Sequence, residues 1–130
     1  MRIAPLGFRF SLTPEDLRSI REACEVAADF NGARLYEEFE AWEGFVDTDW
    51  SQWDSSEYDN DIACRFWIQL AIERSSPATR AVLEQQVEPL DERFRAVMKP
   101  ARSRSGWDRL PLSGHPYFWE THTIHPDLGL

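Results

Sequence analysis

The sequence predicts a mainly α-helical protein, a compact bundle of four to five helices formed as a single domain over residues 1–130. Two helix N-termini are indicated by the sequence, because Thr13-Pro14 and Ser76-Pro77 each place a capping hydroxyl before a proline. Apolar side chains recur three and four residues apart between these points and beyond them. A chain of 130 residues with 42% apolar residues can also bury one core. A short β element formed by the N-terminal arm and the C-terminal tail is expected beside the helices.

The N-terminal arm, residues 6–12, alternates apolar and polar side chains. This pattern predicts either a short half-buried strand or an extended arm whose rings lie on a helical body. The first helix should begin at Thr13-Pro14, where two acids face the positive helix end. Asn31-Gly32 should end it, since both residues tolerate a left-handed conformation. Its apolar positions are Leu17, Ile20, Cys24, Ala27 and Ala28.

A second helix should run from Ala33 to about Gly44, with Leu35, Phe39 and Trp42 facing the core. Residues 46–56 are polar and predict a loop around Trp50 and Trp53.

Residues 57–74 form the most apolar helix of the sequence. The next helix should begin at Ser76-Pro77 and end at Pro100, with a kink or a division into two short helices at Pro89. Its seam repeats four and three residues apart: Leu83, Val87, Leu90, Phe94 and Val97. The ring-bearing tail after Ala101 should wrap the helices, with a strand near 117–124.

Negative charge is concentrated in one part of the chain. Residues 35–64 hold ten carboxylates and no Lys or Arg, whereas the segments before and after them are nearly neutral. This acidic segment accounts for the formal net charge of −9, which disfavours binding to nucleic acids and to anionic membranes. The expected partners are basic proteins, cationic ligands or metal ions.

Aromatic rings interleave with these acids, and Trp and Tyr dominate the centres of protein interfaces. Trp50 and Trp53 are the best candidates for exposed rings, while Phe39 and Trp42 are expected in the core. The predicted partner-binding residues are Glu40, Glu43, Asp47, Asp49, Trp50, Trp53, Asp54 and Glu57. The sequence therefore favours a non-enzymatic acidic binding protein, such as an immunity- or antitoxin-type inhibitor of a basic, nucleic-acid-acting protein.

Three other interpretations of the acidic segment stay open. Its acids can serve solubility alone. They can pair internally with the basic cluster of the tail, Lys99, Arg102, Arg104 and Arg109. The chain can also be a structural or assembly protein that forms a homodimer through an apolar surface.

An enzymatic interpretation has little support, because no nucleophile elbow, phosphate loop or dinucleotide fingerprint occurs. An EF-hand match beginning at Asp47 fails at Gln52, where glycine is needed, and at Tyr58, where glutamate is needed. The remaining alternative is a small metal-dependent hydrolase or ligand-binding enzyme that uses acidic-segment carboxylates with His122 or His125. We predict neither a cofactor nor a bound metal.

The two cysteines, Cys24 and Cys64, lie in apolar helical contexts and are expected to be free thiols packed in the core. Such cysteine usage is typical of an intracellular, cytoplasmic protein. The sequence shows neither a signal peptide at its start nor a transmembrane segment.

Overall fold

The computed structural model describes residues 8–47 and 55–97, and for residues 26, 55–62 and 97 it describes the backbone alone. Within these ranges the chain forms four α-helices and one short 3-10 helix. They are α1 (Pro14–Ala23), the 3-10 helix (Glu25–Ala27), α2 (Gly32–Val46), α3 (Ser55–Arg74) and α4 (Pro77–Val97). The mainly helical prediction is confirmed. No β-strand occurs in the described ranges, and the tail that was expected to supply one lies outside them.

Helix α1 begins at Thr13-Pro14 as predicted, and Asp16 completes its N-terminus. The backbone N–H of Asp16 donates to Thr13 Oγ1 and the backbone N–H of Thr13 donates to Asp16 Oδ2, each at 3.0 Å. The buried Asp16 carboxylate also accepts from the backbone N–H of Ser76 at 2.8 Å and from Thr79 Oγ1 at 2.7 Å. These two donors stand at the start of α4, so one carboxylate fastens the N-termini of two helices together.

These contacts set the acidity of Asp16. Burial by itself raises the pKa of this carboxyl. Hydrogen bonds from Ser76, Thr13 and Thr79 lower the pKa by more than burial raises it, and the resulting pKa is about 2. The group is therefore held as a carboxylate because each donor favours the charged form.

The Asn31-Gly32 pair does not end α1 as predicted. Helix α1 ends at Ala23, where Cys24 takes an extended backbone conformation, and the 3-10 helix follows. Asn31 instead caps α2, because its side-chain oxygen accepts from the backbone N–H of Arg34 at 2.8 Å. Asparagine suits either end of a helix, so composition alone does not separate the two roles.

Helix α2 also continues past Gly44, which was expected to end it, and runs to Val46. Glycine inside a helix costs about 0.5–1 kcal/mol relative to alanine. Phe45 and Val46 are buried, and the burial of one such side chain gains about 1.5–3 kcal/mol. The free energy gained by burying Phe45 and Val46 therefore outweighs the cost of keeping Gly44 inside the helix.

Helix α4 is continuous through Pro89, so the predicted division into two helices is wrong. A proline inside a helix costs about 3 kcal/mol, largely through a lost hydrogen bond and a clash with the preceding turn. Pro89 lies on the exposed side of α4, whereas Val87, Leu90 and Phe94 are buried on either side of it. Their burial on both sides of Pro89 keeps the helix continuous through it.

All four helices contribute buried side chains to the core, and Ile20 is the contribution of α1. Trp42 lies beside Phe94 with ring centroids 5.1 Å apart, and Phe45 stacks on Phe94 at 6.2 Å. Phe39 and Trp42 are fully buried, which confirms their predicted place in the core. Cys64 is buried and Cys24 is half-buried, and both are free thiols, as expected.

The N-terminal arm, described from Phe8 onward, is extended and lies across α2 and α4. The Phe8 ring centroid is 4.9 Å from that of Phe39, and the Phe10 centroid is 5.0 Å from it. The side-chain amide of Gln86 on α4 bonds the backbone of Arg9. Of the two expectations for this segment, the extended arm on a helical body is confirmed and the strand is not.

Candidate partner-binding site

One edge of α2 carries the predicted partner-binding acids that the structure describes with their side chains. Glu40, Glu43 and Asp47 are three and four residues apart, so they follow one another along the same side of the helix. We call these three residues the α2 acidic edge. Glu40 and Glu43 are half-buried, and Asp47 is exposed.

The side of α2 that faces the core explains this placement. Its buried side chains are Leu35, Phe39, Trp42, Phe45 and Val46. Because these positions are fixed in the core, the rotation of the helix about its own axis is fixed as well. The α2 acidic edge therefore stands on a rigid frame.

Asp47 is partly neutralised from within the molecule. Nη1 of Arg93 on α4 donates to both carboxylate oxygens of Asp47, at 2.8 and 2.9 Å. Internal pairing of the acidic segment thus occurs, but the described partner is Arg93 on α4. The basic cluster of Lys99, Arg102, Arg104 and Arg109 lies outside the described residues.

The other predicted partner-binding residues are not placed by the structure. Asp49, Trp50, Trp53 and Asp54 lie outside the described residues, and Glu57 belongs to the part of α3 described by its backbone alone. The structure brings together Glu40, Glu43 and Asp47, and those five positions remain predictions.

Another acid of α2, Glu38, has a basic neighbour on its own helix. Arg34 Nε lies 3.5 Å from Glu38 Oε1, and the Arg34 guanidinium carbon lies 5.0 Å from the centroid of the Trp67 ring. Burial raises the pKa of Glu38, Arg34 partly offsets this, and the nearby Glu37 raises it again. The Arg34 guanidinium therefore has both a carboxylate and an aromatic face to stabilise it.

The buried charge network beneath this surface was not predicted. Arg65 of α3 donates from Nε and Nη2 to the two carboxylate oxygens of Asp91, each at 2.9 Å. Trp42 Nε1 donates to Asp91 Oδ1 at 3.0 Å, and Arg65 Nη1 donates to Gln69 at 3.1 Å. The available signal was an arginine between Cys64 and Phe66 in the most apolar helix, since such a charge needs a buried partner.

A cavity of about 270 Å³ opens between α3 and α4, next to this network. Its charged lining comes from Arg65, Glu84, Glu88, Asp91, Glu92 and Arg95. Both arginines are bonded to carboxylates of the same lining, since Arg95 Nη1 lies 2.6 Å from Glu92 Oε1. The lining is negative overall, in keeping with the acidic character of the chain.

The metal-dependent interpretation gains no site from the structure. Among residues 8–47 and 55–97, no group of three or more His, Cys, Asp or Glu side chains is arranged to hold a metal ion. His122 and His125 lie outside these ranges. The same described residues contain no helix long and apolar enough to cross a membrane.

Comparisons with models of protein families, with curated proteins and with solved structures each gave no match.

Proposed function

We propose that this chain is a non-enzymatic binding protein whose acidic segment, with the α2 acidic edge at its centre, engages a basic protein. The concrete form of the proposal is an immunity- or antitoxin-type inhibitor of a basic, nucleic-acid-acting protein. The observation that carries it is charge segregation, because residues 35–64 hold ten carboxylates and no Lys or Arg. Such a surface speeds the approach of a positive partner and resembles the charge of a phosphate backbone.

The ion pair between Asp47 and Arg93 supports the proposal, because a guanidinium is bound at this end of the α2 acidic edge. Arg93 Nη1 makes two short hydrogen bonds to the Asp47 carboxylate there. Both side chains are about half exposed, and exposed pairs of this kind contribute about 0–1 kcal/mol. An arginine of a partner can therefore take the place of Arg93 at little cost.

The rigidity of α2 also supports it. The core side of the helix is buried along its whole length, so its acids are positioned before a partner arrives. Binding then loses little conformational entropy on this side of the interface.

Two variants with the same change in charge test the proposal. The first replaces acids of the segment: Glu40→Gln, Glu43→Gln, Asp47→Asn and Asp49→Asn. The control replaces four exposed acids on other parts of the molecule: Glu22→Gln, Glu25→Gln, Asp29→Asn and Glu88→Gln. Each tagged chain is used for affinity capture from the lysate of the source organism, at low and at high salt.

The native chain and the control variant should both retain a basic protein that high salt releases, and the first variant should lose it. The captured protein, identified by mass spectrometry, would then be tested for nuclease or other nucleic-acid-directed activity with and without the chain. Equal capture by all three chains would show that the replaced acids do not take part in binding, and loss from the two variants alike would indicate a general effect of net charge.

The homodimer alternative has less support in the described residues. Among the residues described with their side chains, Val82 is the one large apolar residue that is exposed, at 37%. A stable dimer interface needs a contiguous apolar patch rather than a single valine.

A further inference from the structure

The Asn31-Gly32 pair contains a glycine that the fold does not explain. Gly32 is the first residue of α2, and its φ lies outside the left-handed region that favours glycine. A Cβ added at Gly32 would meet no atom within 4 Å. Alanine is also the better residue in a helix. Neither packing nor backbone conformation therefore requires a glycine at this position.

Glycine changes the chemistry of an asparagine that precedes it. The backbone nitrogen of the following residue can attack the side-chain carbonyl carbon Cγ, because the two groups are held close together in one chain and close a small ring. A side chain on the following residue hinders this approach, and glycine has none. Asparagine before glycine is thus the pair in which the attack meets the least steric hindrance.

The cap of α2 places a hydrogen-bond donor where the attack develops negative charge. The backbone N–H of Arg34 donates to Asn31 Oδ1 at 2.8 Å. When a nitrogen adds to Cγ, this oxygen takes the negative charge, and a donor already in place stabilises it. The donor also belongs to the first turn of α2, where the helix dipole is positive. The hydrogen bond that caps the helix therefore also favours the addition.

The attacking and leaving groups are both accessible. The N–H of Gly32 is the first of α2, so no carbonyl of the helix accepts it. Asn31 is exposed, and among the described contacts its Nδ2 donates to no acceptor. Solvent can therefore take the proton from Gly32 and carry away the released nitrogen.

We propose that Asn31 is a deamidation site of the folded protein. The Gly32 nitrogen loses its proton to hydroxide and bonds to Cγ of Asn31. The Cγ–Nδ2 bond then breaks and Nδ2 leaves as ammonia, which gives a cyclic imide. Water hydrolyses the imide at either carbonyl, so the products are aspartate in a normal backbone and isoaspartate, whose backbone runs through the side chain. Water and hydroxide are the co-reactants.

The two products affect α2 differently, although each adds one negative charge. Aspartate caps a helix about as well as asparagine does, and its charge is favourable at a helix N-terminus. Isoaspartate adds a methylene to the main chain and carries its carboxylate directly on Cα, so the capping bond from Arg34 is lost. This product releases the first turn of the helix that carries the α2 acidic edge.

The first test incubates the native chain at neutral and at mildly alkaline pH and maps it by mass spectrometry after digestion in acid. Asn60, the other asparagine of the sequence, is an internal control because it precedes Asp61 inside α3. Asn31 should deamidate about tenfold faster than Asn60 or more, and its rate should rise with pH. An unchanged Asn31, or equal rates at the two asparagines, would overturn the proposal.

Gly32→Ala is the matched variant, since its added methyl group meets open space and alanine favours the helix. It should slow the reaction of Asn31 by about tenfold or more, while its melting temperature equals or exceeds that of the native chain. An unchanged rate in the folded Gly32→Ala variant would contradict the proposal.

A parallel incubation in urea separates reaction in the folded protein from reaction after unfolding. The rate at Asn31 in the folded chain should stay within about a hundredfold of the rate in urea, because the exposed cap reacts without unfolding of the core. A larger gap would show that global unfolding precedes the attack, and the site would then not belong to the folded protein.

Hydrogen exchange tests the consequence for α2. The backbone N–H of Arg34 should exchange faster in the purified isoaspartyl form than in the native chain, whereas the Asn31→Asp variant should keep the native rate. Native exchange in the isoaspartyl form would contradict the loss of the cap. These measurements need no partner, so their outcome is independent of the proposed function.

Discussion

Two Arg–Asp ion pairs each have one member on α4. One pair is buried and the other is exposed to solvent. Asp91 bonds Arg65 with side-chain exposures of 8% and 4%, whereas Arg93, two residues later, bonds Asp47 with exposures of 47% and 49%. The hydrogen bonds are of almost equal length, 2.9 Å in the buried pair and 2.8 to 2.9 Å in the exposed one. Distance alone therefore does not distinguish them.

The difference lies in the solvent. The buried pair gives up the hydration of two charges, which bond each other. Among the described contacts, Asp91 also accepts from Trp42 and Arg65 also donates to Gln69. The exposed pair keeps water on both sides and is screened by salt. The buried pair consequently fixes how α2, α3 and α4 fit together, while the exposed pair can be exchanged for a partner's charge.

Removal of one member of the buried pair should have the largest effect. Asp91→Ala leaves the Arg65 guanidinium buried without its carboxylate, and such changes cost about 3–5 kcal/mol. The free energy of unfolding, measured by urea denaturation, should fall by that amount. Glu92→Ala, which removes the exposed neighbouring acid, is the control and should change it by about 0.5 kcal/mol or less.

The double variant Arg65→Met with Asp91→Leu tests whether the uncompensated charge causes the loss of stability, because it removes both charges together. It should be more stable than either single variant, since neither buried charge is left after the other has been removed. Strictly additive losses would indicate that the pair is not the dominant interaction of either residue.

Asp16 is a third bonded carboxylate, and its hydrogen-bond partners are neutral groups. Its replacement should lower the free energy of unfolding by less than the loss of Asp91 does and by more than the loss of Asp47 does. Its pKa is about 2 in the folded protein, below the value of 3.8 for an ordinary aspartate. A lowered folded pKa contributes stability that is complete above the unfolded pKa and is lost as the pH falls toward the folded pKa. The contribution is about 2–2.5 kcal/mol.

Asp16→Asn should therefore lower stability at pH 7 by about that amount. The difference between native and variant proteins should shrink as the pH is lowered from about 5 to about 2. Melting temperatures at several pH values measure it, with Glu15→Gln, an exposed acid of the same turn, as the control. If the difference in melting temperature between the native and Asp16→Asn proteins does not change with pH, the loss of stability comes from the altered hydrogen bonding of the side chain and not from its charge.

The local signals of this sequence predicted the fold well. The Thr13-Pro14 and Ser76-Pro77 starts and the apolar spacing located the helices. The errors arose where packing competes with propensity, at Gly44 and Pro89, because the burial of distant side chains is not written in a local pattern. Asn31 was misassigned because one residue type serves both ends of a helix.

The candidate site was predictable in a different way. Composition identified the acidic segment with Glu40, Glu43 and Asp47 in it, but the sequence placed Asp47 in a loop, and only the structure shows that it follows Glu40 and Glu43 at the end of α2. The pairing of Asp47 with Arg93 and of Arg65 with Asp91 was not predictable. These partners are 46 and 26 residues apart in the chain, and one sequence alone does not reveal which charges meet.

The exposed pair should have the smallest effect on stability and a much larger one on binding. Asp47→Asn and Arg93→Gln should each change the free energy of unfolding by about 1 kcal/mol or less, with a coupling energy of about 0.2–1 kcal/mol in a double-mutant cycle that falls as salt is added. Arg93→Gln should strengthen capture of the basic partner because it frees Asp47, whereas Asp47→Asn should weaken it. If Arg93→Gln weakens capture instead, Arg93 itself belongs to the interface, and the comparison of the two pairs would have to be redrawn with the exposed pair acting as a unit.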